Sequence, residues 1–216
     1  IPYKRWKEFA PHIFIATLIV LSLVFVPGIG TSFGTGNRNW IPLFGFSFQP
    51  SEAAKLSLII FVSAYVAEKG RDLRQFKKGF LVTLGLGLIP IAFVVLQQDI
   101  GTSSILFGIL FMLLFVAGAD VKHLGALLVA GVAAFGAMIA IAPHRAARFM
   151  TFLHPELDPL GIGYHINQAF LAIGSGGLFG LGLGHSRQKF AYLPEVHADS
   201  IFAIMAEEVG FVVAAA

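Results

Sequence analysis

The 216 residues contain no cysteine, which excludes disulfides and thiolate metal sites and leaves the redox compartment open. Charge is also scarce. Only 12% of residues are Asp, Glu, Lys or Arg, against about 25% in an ordinary soluble domain, while 56% are hydrophobic. So little polar surface cannot cover a globule in water, and the bilayer is the better solvent. No basic run is interleaved with aromatics, so nucleic acid is not an expected partner. The phosphate-binding pattern G-x-x-x-x-G-K-[ST] and the zinc pattern H-E-x-x-H are missing. Gly174-Ser175-Gly176 lacks the spacing of a nucleophile elbow. The seven histidines are scattered without metal-ligand spacing.

What is present is a series of apolar runs. A hydrocarbon core about 30 Å thick needs roughly 20 apolar residues in a helix. The runs at 13–29, 53–67, 79–97, 100–119, 124–142 and 200–216 are read as membrane spans, the last one truncated. All are expected to be helical, because lipid offers no partner for a free backbone N–H or C=O. The fold class expected is therefore all-α: a polytopic transmembrane helix bundle with a long extracytoplasmic loop, and 1–216 forms one piece of a single integral membrane domain. The chain opens on Ile1 and stops inside an apolar run, which reads as part of a longer protein. Lys4, Arg5 and Lys7 ahead of an apolar stretch resemble a signal peptide, but Pro27-Gly28-Ile29-Gly30 is no cleavage site and further spans follow.

With the N-terminus inside, the inner segments hold nine Lys and Arg, grouped at 4–7, 69–78 and 122, and the two short outer loops hold only Arg38. That bias sets the orientation. The outer face then carries 31–51, the turn 97–101 and the long segment 143–199. Loops of that length are uncommon and often functional. This one divides into a basic stretch (His144, Arg145, Arg148), a turn-rich stretch 155–163, an apolar stretch 164–173 read as a short helix on or in the membrane, and a glycine run 174–184.

Polar residues at membrane depth cost about 2.5–3.5 kcal/mol each and need a reason. Glu52 and Lys55, three apart behind Gln49-Pro50-Ser51, share a helix face. They form either a structural ion pair or the wall of an outward-opening polar cavity. Asp99 is either a helix cap or part of that lining. Glu207 and Glu208 fit a structural hydrogen-bonding role better than catalysis. Asp158 is either a turn residue in Asp-Pro or a carboxylate base near Arg145 and Arg148, cations suited to phosphate. Lys189, His197 and Asp199 close the same loop, as site residues or as a solvated rim.

Taken in order, these pieces form a recognisable set. Gln49-Pro50-Ser51-Glu52-x-x-Lys55, Gln98-Asp99-x-Gly101-Thr102, Asp158-Pro159-x-Gly161-x-Gly163-Tyr164, the glycine run, Leu193-Pro194-Glu195-x-His197-x-Asp199 and Glu207-Glu208-x-Gly210 resemble the motifs of the RodA/FtsW (SEDS) family. Gln188-Lys189 followed by Tyr192-Leu193-Pro194 is closer to the division-type FtsW branch. Departures are Gln98 ahead of Asp99 where proline is usual, His165 where Gln is common, and Ala198 and Ser200 within the His-x-Asp stretch.

The resemblance implies the third to eighth of ten membrane helices. It implies a peptidoglycan glycosyltransferase of the bacterial cytoplasmic membrane, acting in cell division or cell shape and polymerising lipid II at the outer face. It places the catalytic carboxylate on Asp158. Substrate-binding positions fall on Arg38, Gln49, Glu52, Lys55, Asp99, Arg145, Arg148, Lys189, His197 and Asp199. Implied partners are lipid II, membrane lipids and a class B penicillin-binding protein. No protein metal site is expected, although a divalent cation, Mg or Mn, is compatible with the diphosphate. The rival functions are a lipid II flippase and a non-catalytic scaffold of the division or elongation complex.

Overall fold

The structure is a computed structural model that describes residues 3–32, 38–43, 45–159, 161, 163–191 and 200–216. It divides into two compact units, Ile1–Met138 and Ile139–Ala216, each taken by itself below.

The first unit is a helical bundle with one small hairpin. Helix α1 runs Tyr3–Leu23 and α2 runs Pro50–Lys69. Between them, strands β1 (Ile41–Leu43) and β2 (Phe46–Phe48) pair antiparallel, Ile41 opposite Phe48 and Leu43 opposite Phe46. A short 3₁₀ turn, Gly70–Arg74, and a π-helical turn, Phe76–Phe80, lead into α3 (Leu81–Leu96). Helices α4 (Ile100–Val116) and α5 (Val121–Ile141) follow. Pro50 starts α2, where its missing N–H costs nothing. Pro11 and Pro90 lie inside α1 and α3.

The core of this unit joins Leu21 of α1 to Ala54, Leu58 and Val62 of α2, to Ile91 and Val94 of α3, and to Leu106, Leu110 and Leu114 of α4. The last three repeat every four residues and so form one helical stripe. Gly87 lets α3 approach that stripe, since a Cβ there would lie 2.7 Å from Leu110 Cδ2. The outward faces are apolar too: Ile15, Ile19, Met112, Val116, Val129 and Val132 are exposed. A helix apolar all round belongs in lipid.

Among the described residues four helices are long and apolar enough to cross a membrane: Lys4–Leu23, Pro50–Lys69, Phe76–Leu96 and Val121–Ile141, with the shorter Ile100–Val116 beside them. Helix α1 begins ten residues before the expected span and stops at Leu23. Beyond it the apolar residues 25–29 form turns, with Gly28 at φ 90°. Hydropathy alone did not separate that turn from the helix.

In the second unit α6 (Pro143–Leu153) is followed by a 3₁₀ turn, Pro155–Leu157, then α7 (Tyr164–Gly176), a short α8 (Gln188–Ala191) and α9 (Ile201–Ala214). The stretch read as a short helix is α7. Helix α6 and the hairpin were not foreseen.

Helix α9 breaks at Gly210, whose φ of 78° and ψ of 171° are not helical. In an unbroken helix Phe211 N–H and Val212 N–H would reach the carbonyls of Glu207 and Glu208. Here they donate to Gly177 O (2.9 Å) and Leu178 O (3.2 Å), while the Glu207 and Glu208 carbonyls accept from Leu181 N (2.9 Å) and Gly182 N (3.0 Å). The glycine run is inserted into the break and satisfies all four groups. This fit needs bare backbone: a Cβ on Gly180 would lie 2.6 Å from Gly210 N, and one on Gly176 would lie 2.8 Å from Glu207 Cα.

Candidate functional site

The polar positions of the first unit gather around Asp99. Its carboxylate caps α4, accepting from Thr102 N (3.0 Å) and Thr102 Oγ1 (2.9 Å). The same group accepts from Asn39 Nδ2 (3.1 Å) and Gln49 Nε2 (3.3 Å). The two alternatives for Asp99 are therefore one arrangement: the cap of α4 also ties down both ends of the hairpin segment. Asn39 is buried, while its neighbour Arg38 is exposed. Gln49 in turn holds the start of α2, where its carbonyl accepts from Glu52 N (3.1 Å). One turn on, Lys55 Nζ lies 2.8 Å from Glu52 Oε1, with 56% of the Glu52 side chain exposed against 26% for Lys55. The ion pair exists, but its acid is on an open face rather than sealed between helices.

In the second unit, Asp158 follows the 3₁₀ turn Pro155–Leu157. It is half-buried, and its Oδ1 accepts from Gly161 N (3.0 Å). Its carbonyl accepts from Gly163 N (3.0 Å), and Tyr164 N donates to Gly161 O (3.1 Å). The carboxylate lies over Gly161 so closely that a Cβ there would be 2.6 Å from Oδ1. A Cβ on Gly163 would meet Pro155 O at 2.5 Å and Thr151 Cγ2 at 3.2 Å. Both glycines are thus needed for the turn, which is closed onto α6 and opens directly into α7. Asn167 Nδ2 of α7 donates to Pro155 O (3.3 Å), which reinforces it. Arg148 is exposed on α6 and Arg145, on the same helix, is half-buried.

Glu207 is buried and accepts from Ser186 Oγ (2.5 Å), Arg187 N (3.1 Å), Ser175 Oγ (3.2 Å) and Gln188 N (3.4 Å). Four donors converge on one carboxylate, which offsets the cost of burying its charge. Glu208 takes Lys189 Nζ at 2.7 Å, and the same ammonium donates to Gly184 O (3.0 Å). Lys189 therefore sits in an ion pair that closes the glycine run. His197 and Asp199 lie outside the described residues.

Sequence reading passed over Asn39, Ser175 and Ser186. Asn39 ends the polar run Asn37-Arg38-Asn39 ahead of Trp40, so nothing local set it apart from its neighbours. Ser175 and Ser186 carried no local signal either, because their value lies in Glu207, about twenty to thirty residues away in sequence. Two departures from the resembled pattern meet: His165 Nε2 lies 2.7 Å from Ser200 Oγ, joining the starts of α7 and α9. Among the described residues no three His, Asp or Glu side chains converge as a metal cage.

Over residues 1–216 the chain matches the cell cycle protein family that groups FtsW, RodA and SpoVE. It is 40% identical over 212 residues to stage V sporulation protein E of Bacillus subtilis strain 168, covering 98% of this chain and 58% of that protein. It is 39% identical over 213 residues to a probable peptidoglycan glycosyltransferase FtsW of Aliivibrio salmonicida, covering 98% and 52%. Among solved structures it resembles a peptidoglycan synthase complex that coordinates polymerization and crosslinking, with a TM-score of 0.68 at 25% identity over 98% of this chain and 57% of the other. The rod shape determining protein RodA of Thermus thermophilus gives a TM-score of 0.58 at 27% identity, over 97% and 51%. The chain spans about half the length of the curated relatives it matches.

Proposed function

We propose, from the premise that this chain belongs to the FtsW/RodA/SpoVE family and is part of a multi-pass membrane protein, that the whole protein is a peptidoglycan glycosyltransferase. It polymerises lipid II into glycan strands at the outer face of the bacterial cytoplasmic membrane. Several of its relatives carry the name FtsW, which favours the FtsW-type branch. The observation that carries the catalytic reading is the Asp158 turn: a half-buried carboxylate held in one orientation by Gly161 N–H, in a segment with Arg145 and Arg148.

The reaction joins a sugar 4-hydroxyl to the anomeric carbon of a donor whose leaving group is a polyprenyl diphosphate. Asp158 takes the hydroxyl proton as the new C–O bond forms, and the bond to the diphosphate oxygen breaks. The donor linkage is α and the product β, so one inverting displacement suffices. Arg145 and Arg148 offset charge growing on the leaving group. Lys189, paired with Glu208, holds the glycine run in place, and Asp99 and Gln49 fix the loop that presents Arg38. Glu52 and Lys55 form the polar wall on the exposed side of α2. A magnesium or manganese ion, if bound at the diphosphate, would help offset the charge of the leaving group. A class B penicillin-binding protein supplies the crosslinking step.

The test uses the full-length protein in a gel-based lipid II polymerisation assay. Asp158→Asn and Asp158→Ala are expected to abolish polymer while keeping the folded, monodisperse state. Near-normal polymer from either would remove Asp158 from the base role. Transfer of lipid II across vesicle membranes without any polymer would point to a flippase instead.

A further inference from the structure

Helix α6 carries a pattern that the proposed reaction does not require. Ala146, Phe149, Met150 and Leu153 fall at i, i+3, i+4 and i+7, so they form one continuous apolar stripe. Phe149, Met150 and Leu153 leave it 44%, 49% and 52% exposed. His144 and Arg148 occupy the opposite side together with Thr151, which is buried, while Arg145 and the exposed Phe152 lie on the flank beside Phe149. At 11 residues the helix spans about 16 Å, half of what a crossing needs. It starts two residues after α5, a membrane span, ends at Ile141. At no more than about 3.6 Å per residue, the chain has not left the membrane surface when α6 begins.

We infer that α6 is an interfacial helix, its Phe149–Met150–Leu153 stripe seated in the acyl region of one leaflet and its Arg148 side reaching the phosphates of anionic phospholipids. The occupant follows from charge and length together. A short helix with cations opposite an apolar stripe lies in the headgroup plane, and the long Arg side chain snorkels to phosphate. A protein partner would need a ready-made apolar groove with acidic walls. The lipid surface supplies both requirements beside the end of any span.

This seat has a consequence for Asp158. Thr151 of α6 is packed against the Asp158 turn, its Cγ2 3.2 Å from the position of a Cβ on Gly163. Lipid contact along α6 therefore sets the depth of the carboxylate relative to the headgroups. The outer side of the membrane is taken from the proposed function; the lipid contact is not.

The experiment places single labels on the full-length protein in nanodiscs of phosphatidylcholine with or without phosphatidylglycerol. This stretch contributes no competing thiol. Bimane on Phe149→Cys and, separately, on Met150→Cys is expected to be quenched by brominated acyl chains and spared by aqueous iodide. Bimane on His144→Cys should show the reverse. Energy transfer from the Met150→Cys label to a fluorescent phosphatidylglycerol should report enrichment of that lipid, and Arg148→Gln should lower it about fivefold. Escape of both apolar-stripe labels from brominated lipid would overturn the interfacial seat. Unchanged enrichment in Arg148→Gln would overturn the anionic-lipid assignment. Neither readout involves glycan synthesis, so the enzymatic reading stands or falls separately.

Discussion

Asp99 and the glycines show how single residues set this architecture. Asp99 serves a helix start and two distant amides at once. Asp99→Ala removes the cap, worth about 1 kcal/mol, and leaves the buried Asn39 amide without its acceptor, adding about 1–3 kcal/mol. The expected result is a clear drop in thermal unfolding temperature in detergent, with faster motion of a spin label at Arg38. Gly180 and Gly174 make a controlled pair. Gly180 has φ 78° and no room for a Cβ against Gly210 N, whereas Gly174 has open space around it. Gly180→Ala should cost more than about 2 kcal/mol, since left-handed backbone and a backbone collision combine. Gly174→Ala should be neutral or stabilising by about 0.5–1 kcal/mol. Thermal unfolding of the two variants side by side checks this, and equal melting would refute the insertion of the glycine run into the break of α9.

At the scale of elements, α2 separates stability from chemistry. Its core side is Ala54, Leu58 and Val62, and its polar pair lies elsewhere, with Glu52 more than half exposed. An exposed i,i+3 pair contributes at most about 1 kcal/mol. A double-mutant cycle of Glu52→Gln and Lys55→Met should therefore show a coupling below about 1 kcal/mol in unfolding. If either variant nevertheless loses most polymerisation, the pair serves the substrate and not the bundle. Helix α9 is the opposite case. Its polar groups are wholly engaged in structure, with Glu207 receiving four donors and the break at Gly210 filled by the glycine run. A break in a helix leaves backbone groups that need new partners, and the four displaced here are satisfied by the glycine run.

For the whole molecule, the distribution of Lys and Arg makes a directional claim. Lys69 ends α2 and Arg74 follows it on the basic side, while Arg38 precedes it on the other. In a cysteine-free full-length background, Arg74→Cys should react with a membrane-impermeant maleimide only after the cells are opened, and Arg38→Cys should react on intact spheroplasts. Labelling of both positions from one side would invert or abolish the proposed orientation, and with it an outward-facing site.

The all-helical membrane class, four of the six expected spans and α7 were legible from the chain because bilayer thickness and backbone hydrogen bonding act on local composition; the run at 100–119 forms the shorter α4, and that at 200–216 forms α9, 14 residues broken at Gly210. The candidate site residues stand out in the chain as an ordered set of polar motifs in apolar surroundings. Span ends were not legible, since the turns at 25–29 are as apolar as the helix before them. Nor were the hairpin, the Asp99 hub and the insertion of the glycine run into α9. Each depends on partners far apart in sequence: Asn39 with Asp99, Ser175 with Glu207, Gly177 with Phe211. Composition determined that this chain lives in lipid as helices. Only tertiary packing decided which acids hold the structure together and which are left facing outward, because a carboxylate's role is set by the donors that reach it in space.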